Sequence, residues 1–184
     1  KDGSFGYEME IITYPDSGIE DVPGIKGRKM AFTSETSNSG FKAPSALLKA
    51  EFGMVAGTDF EPVFSGKHDN SILGVANKDY DAAAIANSVK TRMIDRGVVT
   101  ADQFKILYTS QTFPTTGFGT AYNLTPELQE KIKNAFYNFD WEGTTLQTEF
   151  TKSGEESFIP ITFKDNWAVI RQIDEANGVS YACQ

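Results

Sequence analysis

The sequence predicts an α/β domain with a mainly parallel sheet flanked by helices. Three observations support this prediction: strand-like runs alternate with helical patterns of about ten residues, glycine and proline separate them, and no internal repeat is present. Parallel strands need crossover connections, which are right-handed in nearly all proteins. With 184 residues, 40% of them hydrophobic, the chain is long enough for one globular domain or two small lobes.

Five segments have the composition of strands, being rich in β-branched, aromatic or alanine residues and bounded by turn residues. They are residues 7–13, 28–32, 60–64, 80–86 and 104–108. Pro62 cannot donate a ladder hydrogen bond, so we expect the third strand at an edge of the sheet. The alanine-rich fourth segment is short and flanked by loops, which favours a buried strand over a helix.

The helices are marked by apolar residues at helical spacing and by capping residues. They are residues 44–52, a helix after residue 70, and residues 86–96, 126–136, 142–150 and 165–177. We expect Gly53 and Gly97 to end the first and third helices, and Thr125 to cap the fourth. Residues 19–27 form a loop that can hold one helical turn, and residues 109–119 form a turn-rich crossing.

Composition argues against several functions. A net charge of −8 leaves no basic surface to displace the counterions of a nucleic acid, and no segment approaches the roughly 20 apolar residues of a membrane helix. Cys183 is the only cysteine and His68 the only histidine, so a catalytic triad or a multi-histidine metal site would have to be built around one residue. We therefore expect no metal, no cofactor and no catalytic residue. Residues 1–6 hold neither an initiator methionine nor a secretory leader, which is typical of a mature fragment.

Residues 31–44 are the stretch best suited to a ligand, because a buried strand, a loop of small hydroxyl residues and a helix start follow one another. The first N–H groups of a helix have no intrahelical partner and lie at the positive end of its dipole. Small residues in front of them let an oxyanion approach closely, and Gly40 can adopt backbone angles that other residues avoid. We interpret the loop as a site for a small tetrahedral oxyanion. The candidate residues are Thr36, Ser37, Asn38, Ser39 and Gly40.

Two alternatives concern the same loop. Serine and threonine before a helix commonly act only as caps, and glycine commonly marks only a turn. A P-loop would need Gly-Lys followed by Ser or Thr, whereas Phe41 and Lys42 follow Gly40 here. Local spacing therefore excludes the P-loop and leaves the capping interpretation open.

A second loop, residues 65–70, also follows a strand and opens a helix, and it contains His68. Ligands of such sheets bind outside the carboxyl ends of the strands, so neighbouring strands would bring both loops to one edge. His68 could then donate one N–H, or carry a positive charge if an anion raised its pKa. A surface or capping histidine is the alternative.

The sequence resembles a known family, the phosphate, phosphite and phosphonate substrate-binding proteins of ABC importers. The resemblance spans about residues 6–120, where Ser-x-Ser-Gly-Phe and Gly-x-His-Asp form a specific pair of motifs. The matching segments are residues 6–7 with 16–19, 31–44, 64–69, 75–84 and 109–114.

The resemblance implies a type II periplasmic-binding fold, in which two α/β lobes close on a ligand and two crossing strands join them. Residues 1–112 would be the ligand-binding lobe with its hinge strands, and residues 113–184 would return to the other lobe, most of which would precede Lys1. The phosphonate oxygens would be held by Ser37, Asn38 and Ser39 together with His68. Asn38 stands where a threonine is common in the family, and it keeps the capacity to donate and accept.

The resemblance also implies the ligand class. Aminophosphonate binders place carboxylates near the positions of Ser88 and Thr116, neither of which is acidic here. We therefore expect a small ligand such as phosphite, phosphate or a short alkylphosphonate.

The implied function is the solute-binding subunit of an importer, which catalyses nothing and delivers its ligand to a membrane permease. The implied location is extracytoplasmic, either free in the periplasm or attached as a lipoprotein, and the full-length protein is expected to be a monomer. Two alternatives are a ligand-sensing domain of a signalling system and an enzyme on the same fold. The enzyme is disfavoured because Cys183 and a single histidine are poor candidates for an activated nucleophile.

Overall fold

A five-stranded mixed sheet organises the chain, of which the computed structural model describes residues 5–115, 117–151 and 155–178. The strands are β1 (Tyr7–Thr13), β2 (Lys29–Phe32), β3 (Glu61–Phe64), β4 (Ala82–Ala86) and β5 (Lys105–Phe113), in the order β3-β2-β4-β1-β5. All five predicted strands are therefore present, and β3 with its Pro62 lies at an edge as expected. Strands β2, β3, β4 and β5 run in one direction, and β1 runs in the opposite direction. This follows because β2 is parallel to β3 and β4, whereas β1 is antiparallel to β4 and β5.

Helices cover both faces of the sheet. They are α1 (Ala43–Phe52), α2 (His68–Ala76), α3 (Asn87–Asp95), α4 (Pro126–Tyr137), α5 (Thr145–Thr151), α6 (Phe163–Asn166) and α7 (Ala168–Ala176). A π-helical turn, Asn38–Lys42, leads directly into α1, and short 3₁₀ turns lie at Pro23–Ile25 and Ala101–Gln103. In the described residues, no helix is long and apolar enough to cross a membrane.

The core divides into two layers because successive strand residues point to opposite faces. Ile11 of β1 belongs to the layer that α1 and α7 cover, and Ile12 belongs to the layer that α2 and α3 cover. The alanines of β4 alternate in the same way and are all buried. Their small side chains suit the central strand, whose two faces are both covered by helices.

Several predicted boundaries are wrong. Helix α2 begins at His68, so the predicted turn is shorter by three residues. Strand β5 continues to Phe113 because β1 pairs with it as far as Tyr7, so the first part of the predicted crossing is strand. The predicted helix over 142–150 begins only at Thr145, and the one over 165–177 is two helices that meet at Trp167.

The C-terminal segment has two kinds of packing. Phe118, Phe136, Trp141, Phe150 and Phe158 make ring contacts with one another away from the sheet. Helix α7 instead packs on the sheet: Ile170 is buried in the first core layer, and Asp174 pairs with Lys42 at 3.4 Å. The division of the chain at residue 112 stays a prediction, and Cys183 lies outside the described residues.

Candidate functional site

The two predicted loops lie side by side. Strands β2 and β3 are parallel, and their last residues, Phe32 and Phe64, are paired. The backbone N–H of Ser65 donates to the Phe32 carbonyl at 2.8 Å, and that of Gly66 donates to the Thr33 carbonyl at 2.9 Å. These bonds continue the hydrogen-bond ladder past the ends of β2 and β3, so both loops leave the sheet at the same edge.

Ser37 caps the turn that opens the first helix. Its Oγ accepts a hydrogen bond from Gly40 N at 3.0 Å, and its carbonyl accepts from Phe41 N and Lys42 N. Among the described residues, the backbone N–H groups of Asn38 and Ser39 find no acceptor. The capping interpretation is therefore correct for Ser37, and two donors remain beyond it.

The other loop residues differ in exposure. Thr36 is exposed, Asn38 is half-buried, and Ser39 is only 1% exposed. Gly40 is required for space, because a Cβ at that position would lie 1.9 Å from Thr33 Oγ1. Its φ is not positive, so the expectation that Gly40 supplies an unusual backbone angle is wrong.

The His68 ring is held by β4, which lies on the other side of β2 from β3. Its Nδ1 accepts a hydrogen bond from the backbone N–H of Ala86 at 3.1 Å, at the end of β4. Burial lowers the pKa of His68 below its usual value of 6.5; Asp69 opposes this effect and Arg92 adds to it. The ring is therefore neutral at pH 7 with its proton on Nε2. Of the two forms considered from the sequence, this geometry favours the neutral N–H donor.

A third strand-to-helix junction, between β4 and α3, meets the same edge and was missed from the sequence. Asn87 Oδ1 accepts from Glu8 N at 3.0 Å, and its amide donates to the Glu8 carboxylate, which also accepts from Thr112 Oγ1 at 3.0 Å. Asn87 thus ties α3 to β1, and the Glu8 carboxylate extends the connection to β5. The sequence signal that could have indicated this junction is Asn87 itself, a polar residue directly after the buried strand Ala82–Ala86.

A large cleft of about 1450 Å³ adjoins this junction. Its lining includes Ser88 and Arg92 of α3 together with Phe118 and residues 155–159. The predicted loop residues and His68 do not line the cleft, and His68 connects to it through Ala86. Ser88 is exposed in the cleft and presents a hydroxyl where the aminophosphonate binders would have a carboxylate. Thr116 lies outside the described residues.

The described residues hold no group of three or more histidine, cysteine or acidic side chains that could bind a metal ion. The polar groups at the edge of the sheet are mainly hydrogen-bond donors: backbone amides, hydroxyls and one imidazole N–H. Such a set suits an oxyanion better than a cation.

This fold and this edge define a class of protein, the α/β lobe of type II periplasmic-binding proteins. A family model described as "ABC transporter, phosphonate, periplasmic substrate-binding protein" matches residues 1–167. The chain belongs to that family of substrate-binding proteins.

Individual relatives agree with the family. The chain is 30% identical to the phosphate-import protein PhnD of Mycolicibacterium smegmatis, over 98% of this chain and 58% of that protein. It is 25% identical to the phosphonates-binding periplasmic protein of Escherichia coli, over 75% of this chain and 42% of that protein. The chain thus spans about half the length of these curated relatives.

Solved structures show the same fold. PhnD1 from Prochlorococcus marinus, solved in complex with methylphosphonate, has a TM-score of 0.73 at 17% identity, over 94% of this chain and 67% of that one. A binding protein component of an ABC phosphonate transporter from Pseudomonas aeruginosa has the same TM-score at 22% identity, over 94% of this chain and 58% of that one.

Proposed function

We propose that the protein captures a small phosphorus oxyanion as the solute-binding component of an ABC importer. The observation that carries the proposal is the pair of hydrogen-bonded loops after β2 and β3, which leaves donors of two helix starts side by side. The donors are the N–H groups of Asn38 and Ser39, the hydroxyls of Thr36, Ser37 and Ser39, and Nε2–H of His68. Gly40 fixes the turn that presents them.

The energetics of such a site are sufficient for capture. Hydrogen bonds to a charged acceptor contribute about 1.5–3 kcal/mol each, so four or five donors support micromolar binding. Backbone dipoles supply the positive potential locally, which reconciles anion binding with a net charge of −8.

The ligand proposed is phosphite, phosphate or a short phosphonate. Support comes from the relatives, one of which imports phosphate and another of which is described as binding phosphonates. The hydroxyl of Ser88, in place of a carboxylate, argues against a ligand that carries an amine. The proposed partner is the membrane permease of the importer, at an extracytoplasmic location, and we propose no catalytic step.

Titration calorimetry of the full-length protein with phosphite, phosphate, methylphosphonate and 2-aminoethylphosphonate tests the proposal. We expect Ser37→Ala and His68→Asn each to weaken the best ligand at least tenfold, because each removes a donor to a charged acceptor, and Ser37→Ala also removes the cap on Gly40 N. Asparagine at position 68 can still accept from Ala86 N, so the loss reports the Nε2 donor and not the fold.

Ser45→Ala is the matched control, because the buried Ser45 Oγ in α1, the helix that follows the Ser37 turn, has no hydrogen-bond partner within the described chain. Removing that hydroxyl should leave affinity unchanged. Unchanged affinity in both Ser37→Ala and His68→Asn would refute the site. Much tighter binding of 2-aminoethylphosphonate than of phosphite would refute the ligand class.

A further inference from the structure

Arg92 occupies the wall of the large cleft. Ser88, Thr91, Arg92 and Asp95 all line it, and their spacing of three and four residues places them on one face of α3. This face begins at the β4–α3 junction, where Ala86 N holds the ring of His68.

The guanidinium of Arg92 has no partner among the described residues, although the side chain is half-buried. Two other cations near the cleft are engaged: Lys90 on the same helix pairs with Glu10, and Lys133, which also lines the cleft, pairs with Glu130. A guanidinium presents five N–H donors and stays charged at any pH of interest. An unpartnered one in a cleft is suited to an anionic group of a ligand.

Arg92 also lies within electrostatic reach of the proposed oxyanion site, because its positive charge lowers the pKa of His68. Helical side chains incline toward the N-terminal end of their helix. For α3, that is the end at which Ala86 connects to His68.

Within the described chain, none of the carboxylates that line the cleft forms an ion pair with Arg92. Both oxygens of Glu8 already accept hydrogen bonds, from Thr112 and from Asn87. Asp95 is exposed and lies nearer the far end of α3. Glu155 and Glu156 also line the cleft. If their charge dominates instead, the protein should prefer a ligand that carries an ammonium group.

We propose that Arg92 is a specificity-determining residue, which selects phosphorus oxyanions with a second anionic group over those with an ammonium group. This inference rests on the proposed function and extends it to the substituent on phosphorus. The oxyanion binds at the two loops, and Arg92 pairs with a carboxylate on the substituent through charge-assisted hydrogen bonds.

The test is calorimetry of the full-length protein with methylphosphonate, phosphonoacetate and 2-aminoethylphosphonate. We expect the wild-type protein to bind phosphonoacetate most tightly. Arg92→Met keeps much of the aliphatic stem and should lower the affinity ratio of phosphonoacetate to methylphosphonate about tenfold or more, while methylphosphonate binding changes less than about threefold. Arg92→Lys should retain part of the preference.

Arg96→Met is the matched control, since Arg96 is exposed directly after the end of α3 and does not line the cleft. Its affinity ratio should equal that of the wild type, and circular dichroism verifies that each variant is folded. An unchanged ratio in folded Arg92→Met would overturn the inference, as would a wild-type preference for 2-aminoethylphosphonate over phosphonoacetate.

The failure of this inference differs from the failure of the proposed function. If Ser37→Ala abolishes methylphosphonate binding but Arg92→Met leaves the ratio unchanged, only the role of Arg92 is refuted. If the wild-type protein binds none of the three phosphonates and no phosphate or phosphite, the proposed function fails and the inference with it.

Discussion

Replacing Gly40 by alanine should damage both the stability of the protein and its affinity for an oxyanion. A Cβ at position 40 would lie 1.9 Å from Thr33 Oγ1, 2.6 Å from Thr33 Cγ2 and 2.8 Å from Thr33 Cβ. Thr33 is 3% exposed and cannot swing into solvent. The strand end and the turn must therefore move apart.

The size of the effect follows from these distances. Ordinary contact begins at 3.4 Å, so the closest pair must separate by about 1.5 Å. Overpacking of this kind costs about 1–3 kcal/mol of stability. A shift of that size also carries the N–H groups of Asn38 and Ser39 out of hydrogen-bonding range of a bound oxygen. We expect at least a tenfold loss of affinity.

A double-mutant cycle separates the clash from other effects of the substitution. Thr33→Ala removes the two closest atoms, and the Oγ1 that it removes has no hydrogen-bond partner in the described residues, so alone it should change stability by less than about 1 kcal/mol. In the double variant only Thr33 Cβ stays close, at 2.8 Å. Part of the stability lost in Gly40→Ala should return, as a coupling energy of about 1 kcal/mol or more.

Urea denaturation and calorimetry with methylphosphonate are the assays. Gly119→Ala is the control for stability, because a Cβ at position 119 meets nothing within 4 Å and its backbone angle suits any residue. The reasoning is refuted if Gly40→Ala matches Gly119→Ala in stability and the wild type in affinity, or if Thr33→Ala restores none of the stability lost in Gly40→Ala.

The other predictions concern charge. His68 is the only histidine, so its NMR titration is unambiguous; we expect a pKa below 6.5, rising when an anion binds. The unfolded chain binds the histidine proton at a higher pH than the folded protein does, so the free energy of unfolding should fall as the pH drops below 6.5. His68→Asn should abolish this part of the pH dependence. A measured His68 pKa at or above 6.5 would contradict the geometry. Glu10 and Lys90 form an ion pair with side chains 9% and 12% exposed, so Glu10→Gln should cost about 2–4 kcal/mol in urea denaturation. Glu127→Gln, which breaks an exposed pair, should cost nothing measurable, and equal effects would refute the burial argument.

Much of the fold was predictable because local signals agree with tertiary packing. The strand Tyr7–Thr13 was bounded correctly, since alternation, β-branched residues and a following proline all indicate it. Strand β5 was predicted too short, because Thr109–Thr112 carries little apolar pattern and is held in the sheet by pairing with β1. The break at Trp167 was missed for a related reason: nothing in the local sequence marks it.

The candidate site was predictable in its position and not in its detail. Parallel strands carry the loops after Phe32 and Phe64 to one edge, and topology alone provides that expectation. The orientation of the His68 ring depends on Ala86 N, a contact between elements that no local pattern reports. The requirement for glycine at position 40 likewise depends on Thr33, which directly follows β2 and meets Gly40 only once the loop has folded back.

The same edge also carries the covalent connections of the sheet to the rest of the chain. Tyr7, at the start of β1, pairs with Phe113, at the end of β5, so the segments beyond both strands leave the sheet together beside the loops. Glu8 binds Thr112 across these two strands and also binds Asn87, which adjoins the residue that holds His68. A continuous path of contacts therefore joins the paired ends of β1 and β5 to the imidazole: Thr112 to Glu8, Glu8 to Asn87, and Ala86 to His68. The path is short because β1 is antiparallel to β4, so β1 begins at the edge where β4 ends.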